Sequence, residues 1–207
     1  MSLPHTTYRI KKQSDMKLRY SLLLLLFLAL FQAKAQKVAV KTNILYDATA
    51  TLNGGLEMSV APKWTIDASV NYNNWNFNSH RWKHWMIQPE GRYWFCEKFA
   101  GHFVGIHAHG GKYNMSKINT EFKLLGTDFS KLKNERFQGW FIGAGVAYGY
   151  AWILNKHWNL EAEAGIGYSY TRYDRYPCAD CGEKIANKHP HNYVGITKLA
   201  FNLVYLF

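Results

Sequence analysis

The chain has 207 residues and a formal net charge of +11, and 48% of it is hydrophobic; that length allows one domain or two small ones, and that apolar content excludes a disordered chain. A mean hydropathy of −0.30 excludes a bundle of membrane-spanning helices but not a membrane β-barrel, whose inner face is polar. Three cysteines are too few for a disulfide scaffold.

In chain order, the first feature is Ser21–Phe31, SLLLLLFLALF. Its apolar run, Leu22–Phe31, is about half of the roughly 20 residues a spanning helix needs. Lys17 and Arg19 precede it and Ala33-Lys34-Ala35 follows. A basic start, an apolar middle and an A-x-A site predict a signal peptide over residues 1–35. Met16 would begin a signal of ordinary length, which makes 1–15 a mis-assigned start or a long basic region. Cleavage after Ala35 removes six cations and Asp15, so residues 36–207 keep a net charge of +6. That halves the support a basic chain lends to nucleic-acid binding, and an exported protein does not meet nucleic acid.

The remainder shows period 2 throughout, which predicts strands. Val38–Tyr46 alternates Val38, Val40, Thr42, Ile44 and Tyr46 with Lys41, Asn43 and Asp47. Leu56, Met58 and Val60 oppose Glu57 and Ser59. Trp64, Ile66, Ala68, Val70 and Tyr72 oppose Thr65, Asp67, Ser69 and Asn71. Trp85, Ile87, Tyr93 and Phe95 oppose His84, Gln88, Glu90 and Arg92, with Pro89 as the weak point. Val104, Ile106 and Ala108 oppose Phe103, His107 and His109. Trp140 to Trp152 sets large residues against Phe141, Gly143, Gly145 and Gly149. Trp158 to Tyr170 sets them against Asn159, Glu161, Glu163 and Ser169. In the eighth strand Tyr193, Gly195, Thr197, Leu199, Phe201, Leu203, Tyr205 and Phe207 form one face, and Lys198 and Asn202 lie on the other.

The connections alternate in length. Residues 61–63, 97–101 and 154–157 are short, whereas 73–83, 113–138 and 172–190 are long. Aromatic residues cluster at both ends of the strands, as they do at the two interfaces of a membrane. The expectation is an all-β fold: an eight-stranded antiparallel up-and-down transmembrane β-barrel over residues 36–207. It places the chain in the outer membrane of a Gram-negative bacterium, with both termini and the short turns periplasmic and the long loops extracellular. Eight strands leave an interior that side chains fill.

Several segments then resemble a known family. They are Lys41-Thr42-Asn43-Ile44-Leu45-Tyr46-Asp47-Ala48, Lys83-His84-Trp85, Gln88-Pro89-Glu90, Arg92-Tyr93-Trp94-Phe95-Cys96, Gly101-His102-Phe103, Gln138-Gly139-Trp140, Tyr148-Gly149-Tyr150, Trp158-Asn159-Leu160-Glu161 and Tyr205-Leu206-Phe207. Together they resemble a Bacteroidota outer-membrane family known as domain-of-unknown-function family 3575. The resemblance implies a membrane barrel, brings no catalytic residue and no cofactor, and gives surface-fibre (fimbrial) biology as a context. Phe207 resembles the terminal signal that outer-membrane barrel assembly machinery reads.

Three groups of residues could carry chemistry. Cys178-Ala179-Asp180-Cys181 with His189 and His191 supplies four ligands of the kind tetrahedral zinc takes. In an oxidising compartment a loop-tightening disulfide, or plain thiols, is the simpler reading. Cys96 is left as a free thiol. His107 and His109 point inward, which suits interior hydrogen bonding. Lys112, Lys117, Lys123, Lys131, Lys133 and Arg136 in or beside the longest loop suit a solvated surface or attraction to lipopolysaccharide.

The lumen draws the sharpest expectation. Alternation turns Glu57, Asp67, Glu90, Arg92 and His107 inward, with Glu57 opposite Asp67, Asp67 opposite Arg92, and Glu90 opposite His107. Arg92 should lie between Glu57 and Asp67, with Lys41 and Lys198 near Glu161 and Glu163 in a second layer. The function expected is a non-enzymatic envelope protein that acts through its extracellular loops, with membrane lipid, lipopolysaccharide and surface-fibre or envelope proteins as partners. A small lipid-modifying enzyme is the alternative.

Overall fold

Alternating apolar and polar residues commit most of the chain to strands, and closing the sheet removes the exposed edges a flat sheet would leave. The computed structural model describes residues 37–77, 80–118, 123–124, 127–128, 130–178 and 180–207. The expected signal segment lies outside these residues.

Eight strands form a closed barrel: β1 (Val38–Asn43), β2 (Leu52–Ala61), β3 (Trp64–Phe77), β4 (His80–Trp94), β5 (Gly101–Ser116), β8 (Arg136–Ile153), β9 (Trp158–Tyr176) and β10 (Ala186–Leu206). Each pairs antiparallel with its chain neighbours in the wall, and β10 closes on β1. A short helix, α1 (Ile44–Ala48), follows β1. A small hairpin of β6 (Lys123–Leu124) and β7 (Thr127–Asp128), then a 3-10 turn at Ser130–Lys133, lies in the connection between β5 and β8.

Four features differ from the sequence reading. The strand expected over Val38–Tyr46 stops at Asn43, because the Asn43 side chain accepts a hydrogen bond from the Leu45 amide (3.1 Å) and starts α1. The strands run on into the stretches read as long loops: β3 reaches Phe77, β4 begins at His80, and β9 reaches Tyr176. The register between β3 and β4 therefore shifts by two, placing Asp67 opposite Glu90 and Thr65 opposite Arg92. The other two expected pairings are present, Glu57 with Asp67 and Glu90 with His107.

The fourth difference is in β10. A register shift between Ile196 and Lys198 inserts one extra residue, and alternation changes face there. Leu199 lies outside below the bulge, while Val194 and Ile196 lie outside above it. Thr197, expected on the outer face, instead reaches the lumen and meets His107 Nε2 at 2.9 Å. Tyr193 shares that corrected inward side.

The barrel is apolar outside and polar inside. Ile106, Ile166 and Val194 are 71%, 64% and 61% exposed, whereas Glu57 and Arg92 are fully buried. Outward aromatic rings gather at the end that carries the termini, in the pairs Trp64–Tyr93, Trp158–Tyr205 and Tyr205–Phe207. At the far end Tyr72, Trp85, Trp140 and Tyr168 face outward and are exposed.

Candidate functional site: a charged lumen below an open mouth

Near the termini the lumen is closed by apolar packing. Trp94 and Phe103 are fully buried with ring centroids 4.6 Å apart, and Phe99 packs on Trp94 at 6.0 Å. Phe103 fits because Gly149 faces it: a Cβ there would come within 2.2 Å of the ring.

Directly above lies a charge network. Arg92 is its hub. Its Nη1 reaches Glu57 Oε2 at 2.9 Å and Glu161 Oε2 at 3.0 Å, its Nε reaches Glu90 Oε1 at 3.0 Å, and its Nη2 reaches Glu163 Oε2 at 2.6 Å. The guanidinium also lies 4.6 Å over the Phe103 ring, an arrangement that favours a cation. Lys41 pairs with Glu57, with Asp67 at 3.2 Å and with Glu161 at 3.1 Å. Lys198 pairs with Glu90 and, at 3.2 Å, with Glu163. Thr65 donates to Glu57 and accepts from Trp94 Nε1 at 2.9 Å, and Asn202 donates to Glu161 at 2.8 Å.

Two expectations are corrected here. Arg92 does not sit between Glu57 and Asp67; the two-residue shift of β4 carries it toward Glu161 and Glu163, and Lys41 takes Asp67. There is one continuous network rather than two layers, because Arg92 also holds Glu161 and Glu163, the carboxylates expected in the second layer. His107 lies opposite Glu90 and meets Thr197 Oγ1, and the His109 ring is tilted against it with centroids 5.7 Å apart.

Among the described residues this network sets five carboxylates against three cations. Excess negative charge in a low-dielectric interior is unfavourable, so the acids are not equivalent to the bases. We expect Glu163→Gln and Asp67→Asn to leave the barrel as stable as the parent, or more so. Urea unfolding followed by tryptophan fluorescence measures this; midpoints that collapse in both variants would contradict it.

The other end is open. A cup of about 600 Å³ is lined by inward Asn73, His84, Tyr113, Gly139 and Tyr173 and rimmed by Lys83, Lys112, Arg172 and Lys188. Tyr113 Oη is 3.0 Å from Thr171 Oγ1. Asp174 is engaged by Lys184 Nζ at 2.7 Å and by the Lys188 amide at 2.7 Å, and these donors hold its carboxyl below the usual range. Lys83, Lys112 and Arg172 stand on the outer side of this rim, on the face of the outward Trp85 and Trp140.

Cys178 and Cys181 are joined in a disulfide between β9 and β10. Their sulfurs therefore offer no thiolate to a metal, and His189 packs instead on Tyr173 at 5.6 Å. Arg136 donates to the Cys181 carbonyl at 3.1 Å and lies 3.8 Å over Tyr176, while Arg81 pairs with Asp180 at 2.5 Å. Thiol counting under denaturing, non-reducing conditions should find one thiol, the exposed Cys96. Three thiols with stoichiometric zinc would restore the Cys178, Cys181, His189 and His191 site.

Sequence reasoning did not reach the cup. Asn73, Tyr113 and Tyr173 fall in stretches read as loops, and only unbroken alternation beyond the aromatic belts signals that the strands continue there.

The fold and its filling define a class: closed, eight-stranded antiparallel barrels with a polar interior. The chain belongs to the family described as "Protein of unknown function (DUF3575)", whose model matches residues 21–207. No curated protein and no solved structure matches it.

Proposed function

We propose that this chain is an outer-membrane barrel of a Gram-negative bacterium: a non-enzymatic envelope protein that acts through the mouth of the cup. The observation that carries this reading is the inverted burial. Eight charged side chains inside are each less than 8% exposed, while isoleucine, valine and tryptophan cover the outside. A water-soluble barrel has the reverse pattern.

The spacing of the outward aromatics supports the same reading. From Trp64 to Tyr72 is nine residues and from Trp158 to Tyr168 is eleven. Tilted strands of about 9–11 residues cross a bilayer. On this reading the termini are periplasmic and the ends of β8, β9 and β10 project outside the cell. The cationic rim suits lipopolysaccharide or another anionic surface group, and surface-fibre or other envelope proteins are the macromolecular partners we propose for the projecting ends. On this reading the side chains that fill an eight-stranded barrel leave it no conducting pore.

A lipid-modifying enzyme would need a histidine, a serine and an acid together on the outer wall. His102, an outward histidine, meets Tyr148 Oη at 2.5 Å and packs on Tyr150 at 4.6 Å, so its partners here are aromatic.

The test is biochemical. Mature protein should require detergent, migrate faster on gels unheated than heated, and conduct no ions in planar bilayers. Monodisperse protein in detergent-free buffer would contradict the membrane assignment, and steady single-channel conductance would contradict the filled lumen.

A further inference from the structure

The wall of the barrel is low on one side. β1 reaches only Asn43, opposite Asn202, whereas β10 climbs on to Ala186. Above Asn202, β10 pairs with β9 and, among the described residues, with no strand on its other side. An open edge leaves main-chain groups to be satisfied by something else. Here side chains imitate the missing strand. Asn43 accepts from the Phe201 amide at 3.2 Å and donates to the Leu199 carbonyl at 3.3 Å. On the β2 side, Asn53 Oδ1 accepts from the Asn43 amide at 2.6 Å and Asn53 Nδ2 donates to the Asn43 carbonyl at 3.3 Å. Those are the two bonds that the Asn53 main chain would make if the β1–β2 ladder ran on.

α1 occupies the place where β1 would continue. It has five residues, and helices shorter than about 12–15 residues are marginal without outside support. Its support is a polar latch: Thr42 Oγ1 donates to Asp47 Oδ2 at 2.8 Å, and Asn53 Nδ2 donates to Asp47 Oδ1 at 2.6 Å. Between α1 and β10 lies a slot of about 320 Å³ lined by Leu45, Tyr46, Trp82 and His84. His84 also lines the cup, so the slot is a side opening of the cup.

The same residues also fit the wall as a strand. Continuing the two observed registers of β1 brings Ile44 between Leu52 and Phe201, and Tyr46 opposite Leu199. Ile44 and Tyr46 would then face outward beside apolar neighbours, of which Leu52 is 74% and Leu199 58% exposed. Leu45 would turn inward opposite Ala200. Asp47–Thr49 would remain as the connection to β2, a length that hairpins commonly use. Main-chain groups of Ile44 and Tyr46 would replace the Asn43 side chain on the β10 edge.

We propose that residues 44–46 switch between α1 and an extension of β1, and that the switch is a lateral gate of the cup. The helical form holds the slot open; the strand form closes the wall against β10. The strand partner of the open edge is then the chain's own segment, which enters it in register and with matching faces. The inference rests on the barrel wall and not on its membrane setting.

Cysteine cross-linking tests it, in mature protein carrying Cys96→Ser. In the helical form Leu45 is on the outer lip of the slot and Ala200 is buried in the lumen. Leu45→Cys with Ala200→Cys can therefore form a disulfide, which needs Cα atoms within about 7 Å, only in the strand form. Mild oxidation followed by intact-protein mass spectrometry should find this cross-link. Asp47→Ala, which breaks the latch, should speed its formation about fivefold or more, the shift that one lost hydrogen bond gives. Val40→Cys with Tyr205→Cys, a pair that both forms share, should close at a rate that Asp47→Ala leaves unchanged. Heat-shifted gel migration confirms that each variant is folded. Absence of the 45–200 cross-link where the 40–205 pair closes would overturn the proposal, as would equal 45–200 rates with and without Asp47. Solubility without detergent would remove the membrane reading and leave the switch standing.

Discussion

Replacing Arg92 with leucine should cost the barrel about 3–5 kcal/mol, the range for stranding a buried charge after its partner is removed. Arg92 is fully buried and holds four carboxylates, Glu57, Glu90, Glu161 and Glu163. Leucine fills part of the volume but neutralises none of them. Lys41 and Lys198 would remain, two ammonium groups against five acids. Lys133→Leu is the control: Lys133 is exposed in the 3-10 turn, and substitutions at such positions usually change stability by about 0.5 kcal/mol or less. Urea unfolding in detergent, followed by tryptophan fluorescence, compares the two. Equal midpoints would show that the Arg92 network does not hold the lumen together.

The second large effect is steric. Gly149→Leu should destabilise the barrel by about 1–3 kcal/mol or more, as overpacking of a filled interior does. A Cβ at Gly149 would lie 2.2 Å from Phe103 Cζ and 2.9 Å from the Ala162 carbonyl oxygen. Phe103 cannot retreat, because Trp94 and the Arg92 guanidinium cover it. Gly54 on β2 has nothing within 4 Å of a Cβ, so Gly54→Leu should be tolerated. A heat-shift gel assay of folded yield separates the two; similar yields would contradict the close approach at Gly149.

The inner glycines show why much of the fold was legible. Gly143, Gly145 and Gly149 recur at period 2 opposite a run of large residues, so the face they occupy had to be the crowded one. The charges were legible for the same reason: one glutamate every second residue at Glu161 and Glu163 fixes which way both point. Registers set across short turns were also readable. The turn after Ala61 puts Glu57 opposite Asp67, and the one before Gly101 puts Glu90 opposite His107.

What escaped depends on single residues that alternation cannot register. The extra residue between Ile196 and Lys198 moves Thr197 and Tyr193 to the other face, yet the flanking sequence alternates smoothly on both sides. Ile44-Leu45-Tyr46 reads as the end of a strand, and one capping hydrogen bond, donated by the Leu45 amide to the Asn43 side chain, starts a helix there. The pairings of Arg92 depended on how far β3 and β4 continue past Tyr72, which polar strand ends do not announce. Strand order, facing and filling were therefore carried by local periodicity. The partners of each charge and the cup were set by register, strand length and one bulge.

The central claim is that the apolar wall lies in an outer membrane, with the cup outside the cell and Cys96 on the inner side. A large, membrane-impermeant polyethylene-glycol maleimide applied to intact cells tests it directly. Lys133→Cys, at the cup end, should be labelled in whole cells, while the exposed Cys96 at the opposite end should react only after lysis. Labelling of Cys96 in intact cells, or protection of Lys133→Cys until lysis, would contradict it.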